Sequence, residues 1–155
     1  MQTDFDIFFR DYGDLFNRAL AGQLVLDEIR AVFTESFIAA GPSGVRCGAN
    51  DASFTETLED GYAFYREIGT KRMSVLGIEP TPIDDAHAMV KVFWQADYEK
   101  PDGQALQIGF DVTYLMQTSG ARPLIFAFVA GDEMALFRRH GLVPEEAAPA
   151  QANAA

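Results

Sequence analysis

Asp111 is the residue of this chain best placed to do chemistry. It stands in the run Gly109-Phe110-Asp111-Val112-Thr113-Tyr114-Leu115, one carboxyl among mostly apolar neighbours. An apolar pocket disfavours the charged form of such a group, raises its pKa and leaves a proton available for donation. The alternatives are a solvated strand residue, or a core acid hydrogen-bonded to Thr113 or a tyrosine. Trp94 offers a wall on which a flat ligand can stack, but a single strand tryptophan is as readily core with its N–H satisfied. Tyr62 and Tyr65 carry the same two readings. Cys47, beside Arg46, could have a lowered thiol pKa. No histidine stands near it in sequence to support nucleophilic catalysis, so it reads as inert. His87 and His140 are single and distant from each other, so no metal site and no cofactor is expected. Glu59-Asp60 and Asp84-Asp85 read as solvated charges.

These residues are positioned by elements whose period changes near the middle of the chain. Before Gly69 the apolar residues recur every three or four positions; after Lys71 they alternate every second one. Helices followed by strands with short connections describe an α+β domain, with helices packed on one face of a mainly antiparallel sheet. Thr3 or Asp4 can cap a first helix carrying Phe5, Phe8, Phe9, Tyr12, Leu15 and Phe16, ended by Gly22. A shorter helix runs from about Asp27 through Phe33. A hairpin follows, Phe37–Ala40 and Val45–Cys47, around Gly41-Pro42-Ser43-Gly44. Ser53-Phe54-Thr55-Glu56 has the form of a capping box opening a third helix, which Gly69 closes.

Four strands are expected after that: 72–78, ending at the Pro80/Pro82 pair, then 86–98, 104–117 and 123–130. Lys100-Pro101-Asp102-Gly103 has the residues of a tight turn. Asp132-Glu133 opens a last short helix ending in Arg138-Arg139-His140. Acids at its start and bases at its end complement the helix dipole. Residues 1–143 thus form one domain, and the tail from Pro144 to residue 155 is expected to be disordered.

Composition agrees with one globular unit. The chain has 155 residues, 48% of them hydrophobic and 23% charged, with a formal net charge of −11. That negative field repels phosphate backbones and anionic lipid heads, so neither nucleic acid nor a membrane is an expected partner. No apolar run reaches the roughly 20 residues needed to span a bilayer. The N-terminus lacks the basic region of a signal peptide, and Cys47 is the only cysteine, so a cytoplasmic location is expected.

The second long strand presents Ala88, Val90, Val92, Trp94, Ala96 and Tyr98 on its even face, the drier one, which should look toward the helices. The last strand, Leu124–Ala130, is apolar on both faces. Either a second copy of the chain covers its outer face, with Ile125, Ala127, Val129 and Phe93 contributing, or it is a central strand covered within one monomer. A homodimer through the outer sheet face is the preferred reading.

Taken together, the "LAGQ" helix end, the "LDEIRAVFTESF" helix, the Gly-Pro turn, the third helix and the long meander with "GFDVTYL" resemble the nuclear transport factor 2-like superfamily. This is the cystatin-like α+β cone that includes ketosteroid isomerases, SnoaL-type polyketide cyclases, scytalone dehydratases and limonene epoxide hydrolases. The resemblance covers Phe5 to about Ala130 and implies a curved sheet wrapped around the helices. It places Asp111 where ketosteroid isomerases carry a neutral aspartic acid that donates to the developing oxyanion. Gly41 stands where their general base would be, so a ketosteroid-type isomerisation is not expected. The expected function is binding of a small apolar or aromatic molecule in the cone, with a lyase, isomerase or cyclase activity as the catalytic form. The expected lining is Phe16, Phe33, Tyr62, Val92, Trp94, Asp111, Thr113, Phe126 and Phe128. The alternative is a non-catalytic dimeric binding or assembly module whose pocket is packed shut.

Overall fold

A computed structural model describes residues 4–144. Its elements are α1 (Phe5–Leu20), α2 (Leu26–Arg30), β1 (Phe33–Gly41), β2 (Gly44–Ala49), α3 (Ala52–Glu67), β3 (Thr70–Asp84), β4 (His87–Glu99), β5 (Ala105–Gln117), β6 (Leu124–Ala130) and α4 (Glu133–Arg139). The strands form one six-stranded sheet in the order β2-β1-β6-β5-β4-β3. The β1–β6 pair is parallel and the others are antiparallel. The α+β architecture is therefore the expected one, with helices held against the inner face of the sheet. The tail expected to be disordered lies, from residue 145 on, outside the described residues.

Local chemistry explains most element boundaries. Asp4 caps α1 by accepting from the Ile7 N–H at 3.1 Å, and the buried stripe of α1 includes Phe9, Tyr12 and Phe16. Gly13 interrupts that stripe because Trp94 lies against it: a Cβ there would stand 3.2 Å from the indole. Gly69 takes φ +91 at the turn into β3, where a side chain would meet the Glu99 carbonyl. Gly103 likewise takes φ +85 in the β4–β5 turn.

Three boundaries differ from the sequence expectation. α2 ends at Arg30, and Phe33 opens β1, where its β-strand partner is Ile125 of β6. α3 is capped by Asp51 and not through the Ser53 box; Ser53 instead donates both its N–H and its hydroxyl to the Asp51 carboxylate. β3 runs through Pro80 and Pro82 to Asp84. It can do so because β3 is an edge strand, and a proline lacking an N–H is tolerated where no neighbour needs that donor.

The core is continuous and aromatic. Phe9, Tyr12, Phe33, Trp94 and Tyr114 pack at the centre, with ring centroids 4.7 to 6.4 Å apart. The Trp94 Nε1–H donates to the Tyr114 hydroxyl at 3.2 Å, so both polar handles are satisfied in the interior. The even face of β4 is buried throughout, as alternation predicts. β6 departs from simple alternation. A bulge between the Leu115–Ala127 and Met116–Ile125 pairs turns Ile125 inward, fully buried, on the same side as Phe128. Ile125 therefore does not lie on the outer face, while Val129 does, at 53% exposure.

Candidate functional site

The sites expected from sequence do not converge. Asp111 pairs with Phe93 across the β4–β5 ladder, on the face opposite the helices, and is exposed. The reason lies in the strand period: Val112 and Tyr114 are buried inward, so odd-numbered neighbours must point out. Thr113 shares that outer face, opposite Lys91 and Val129. Phe126 occupies the bulge in β6, half-buried, with its ring 5.9 Å from that of His87. These three do not reach the interior as expected. Phe33, Val92, Trp94 and Phe128 belong to the packed core. Phe16 and Tyr62 are core residues too, but they border Tyr65, with ring centroids 5.4 and 6.3 Å from it.

Tyr65 leads to the group that sequence reading missed. Its hydroxyl donates to Glu133 Oε1 at 2.8 Å. Glu133 is the first residue of α4, a short helix capped by Asp132 and held down by Met134 and Phe137. Phe137 sits among the rings of Phe64, Tyr65 and Tyr98. The helix thereby swings the Glu133 side chain toward the β4–β5 interior. The residue as a whole is half-buried, but its carboxyl is desolvated, and this raises its pKa above the usual carboxylate value. The Tyr65 hydrogen bond works in the opposite direction, because it favours the charged form. No ion pair involves Glu133 among the described residues.

Around it stand phenols that burial keeps protonated. Tyr62, Tyr98 and Tyr114 all have raised pKa values, desolvation being the main cause in each. The negative charge of Glu133 adds to the rise at Tyr98 and Tyr114. Thr70, at 5% exposure, faces Tyr98 across the β3–β4 ladder. Its hydroxyl interacts with the Tyr98 phenol and pulls the Tyr98 pKa down, through a hydrogen bond of poor geometry. The arrangement is a packed aromatic cluster with buried phenols and one carboxyl whose charged form is disfavoured. Such a carboxyl can hydrogen-bond a neutral ligand or exchange a proton with it.

No sequence signal singled out Glu133, since an acid at a helix start is fully accounted for by the dipole. Only the approach of α4 to Tyr65 and Tyr98 distinguishes it from an ordinary capping charge.

A concavity of about 440 Å³ is lined by Asp27, Arg30, Ala31, Glu35 and Asn50. Here Arg30 donates to Asn50 Oδ1 at 3.0 Å and to Thr55 Oγ1 at 3.0 Å, while Asn50 donates to the Arg30 carbonyl at 2.8 Å. Those bonds tie α2 to the β2–α3 connection and to α3, a clamp rather than a reactive cluster. No group of three or more His, Cys, Asp or Glu side chains among the described residues could hold a metal ion. No helix among them is long and apolar enough to cross a membrane.

A family model described as NTF2-like protein (DUF6841) matches residues 3–133. A search of curated proteins finds no match. Among solved structures, the chain is similar to the beta subunit of benzoate 1,2-dioxygenase from Burkholderia mallei. The TM-score is 0.63 at 14% identity, over 88% of this chain and 95% of that one. It is similar to Aln2 from a Streptomyces species, with a TM-score of 0.58 at 14% identity over 90% and 99% of the two chains. A ketosteroid isomerase-like protein from Erwinia carotovora atroseptica gives 0.54 at 17% identity over 77% and 86%. At these identities the likeness is one of fold.

Proposed function

The chain belongs to the NTF2-like family DUF6841, and from that premise we propose that it binds a small, flat, largely apolar molecule at the α3–α4 end of its cone. The observation that carries this reading is Glu133: a desolvated carboxyl with no ion pair, hydrogen-bonded to Tyr65 and set among aromatic rings. Burying a carboxyl against one phenol does not repay its lost hydration through folding alone. Perturbed acids of this kind cluster where ligands are handled. Phe16, Tyr62 and Phe137 supply apolar walls beside it, and ligand pockets combine such walls with a few polar groups. Glu133 is also the group able to give a proton to the ligand or take one, which is the step that lyase- or isomerase-type chemistry requires.

The test is a thermal-shift panel of small aromatic, terpenoid and polyketide-like compounds. A ligand at about 100 times its dissociation constant stabilises the fold by about 2.7 kcal/mol. For a domain of this size that is a rise of roughly 5–10 °C. No shift from any compound class refutes the binding reading.

A second reading, a homodimeric binding or assembly module, is favoured by one observation. The outer sheet face exposes Ile38, Met89 and Val129 at 41%, 38% and 53%. Light scattering that gives twice the 17.1 kDa chain mass supports it, and the monomer mass across a wide concentration range rejects it.

A further inference from the structure

We propose that the concavity where α2 meets β1 binds a small zwitterion of the α-amino acid type, with Arg30 taking the carboxylate and Asp27 and Glu35 the ammonium. It shares no residue with the Glu133 cluster, so the inference is independent of binding at the α3–α4 end. Its volume of about 440 Å³ lies within the range of small-molecule sites, about 300–1,000 Å³. Arg30 is held in place by the fold itself. Its Nε–H donates to Asn50 Oδ1 at 3.0 Å, Nη1 to Thr55 Oγ1 at 3.0 Å and Nη2 to the Asn50 carbonyl at 3.1 Å. A guanidinium has five N–H donors, so one remains on each terminal nitrogen. Arg30 makes no ion pair among the described residues. Asp27, three positions earlier in α2, is the partner that helix spacing offers it, and that pair is not formed. Asp27 and Glu35 are exposed and are likewise without an ion pair among the described residues. One hollow therefore holds a fixed cation and two carboxylates that do not neutralise one another.

That pattern selects the charges of the ligand. A simple anion finds Arg30 but faces two carboxylates, on a chain whose formal net charge is −11. A simple amine finds the carboxylates but faces the guanidinium. A molecule carrying an ammonium and a carboxylate on one carbon meets an opposite charge at each end. The clamp to Asn50 and Thr55 has already ordered the arginine, so less side-chain freedom is lost when the ligand arrives. Ala31 is the single apolar residue among those lining the concavity, so a bulky apolar side chain gains little there. A small amino acid is the best match.

The experiment titrates the full nitrogen-15-labelled chain at neutral pH and low salt with L-alanine, ethylamine and propionate, the last two each lacking one of alanine's charges. Amide shifts of Ala31 and Asn50 report occupancy and give apparent dissociation constants. L-alanine is expected to bind about 5-fold more tightly than either half-molecule, since an exposed charge pair is worth up to about that factor. Asp27→Asn and Glu35→Gln should each weaken L-alanine by about 2- to 5-fold. In the double variant, which leaves Arg30 as the charge in the hollow, propionate should bind more tightly than it does to wild type. Both substituted side chains are exposed, so the thermal midpoint of the unliganded variants should stay at the wild-type value. Ethylamine binding as tightly as L-alanine overturns the proposal and leaves an acidic patch that attracts cations. Ala31 and Asn50 signals that ignore L-alanine, or a double variant that binds it as wild type does, overturn it too.

Discussion

Removing the Tyr65 hydroxyl should destabilise the protein by an amount that grows with pH. In Tyr65→Phe the ring packing against Phe16 and Phe137 is kept while the hydroxyl's bond to Glu133 is lost. A net hydrogen bond to a neutral acceptor contributes about 0.5–1.5 kcal/mol, and one to a charged group about 1.5–3 kcal/mol. The cost should therefore be about 1 kcal/mol where Glu133 is protonated and about 2–3 kcal/mol where it is ionised. The direction follows from linkage. Glu133 has a folded pKa raised above its unfolded value by desolvation, so its contribution is present at low pH and is lost as pH rises through the folded pKa. The Tyr65 bond opposes that rise; without it the folded pKa moves further up and the loss with pH is larger. Urea unfolding followed by fluorescence of Trp94, the single tryptophan, measures this from pH 5.5 to 9. That range stays above the sequence pI near 4.4. The same substitution in a Glu133→Gln background should cost about 1 kcal/mol at every pH. A Tyr65→Phe cost independent of pH in the Glu133 protein would refute the buried-acid argument.

Glu133→Gln alone keeps an acceptor for Tyr65 and should gain stability relative to wild type as pH rises, read from the same urea curves. Val129→Asp, on the outer face, should change the oligomeric mass by light scattering while leaving the fold intact. Ile125→Asp, which buries an unpaired charge beside Met116, should abolish the cooperative transition in circular dichroism. Gly69→Ala forces a side chain into left-handed backbone against the Glu99 carbonyl and should cost about 1–3 kcal/mol in urea unfolding.

The fold was legible because its signals are periodic and repeated. The stripe of α1, the even face of β4 and the Lys100–Gly103 turn each stated their structure locally, and together they specify helices on a mainly antiparallel sheet. The errors came where one local event changes parity or pairing. The β6 bulge turns Ile125 inward, and the edge position of β3 lets Pro80 and Pro82 stay in the strand. Neither a bulge nor an edge is visible in a residue's own neighbours. The site was hardly legible. Asp111 drew attention as a carboxyl amid apolar residues, yet the parity that buries Val112 and Tyr114 sends it outward. Glu133 and Thr70 gave no signal. One looked like a helix-dipole charge and the other like the first residue of a strand, and their chemistry depends on contacts with α3 and β4 far away in sequence.

The most direct measurement is a carbon-13 NMR titration of the Glu133 side-chain carboxyl, assigned by loss of its signal in Glu133→Gln. The account predicts an apparent midpoint above those of the exposed glutamates in the same spectrum, and a resonance that moves when a compound that raises the thermal midpoint is added. A Glu133 signal that titrates together with the exposed glutamates and ignores the ligand would contradict it.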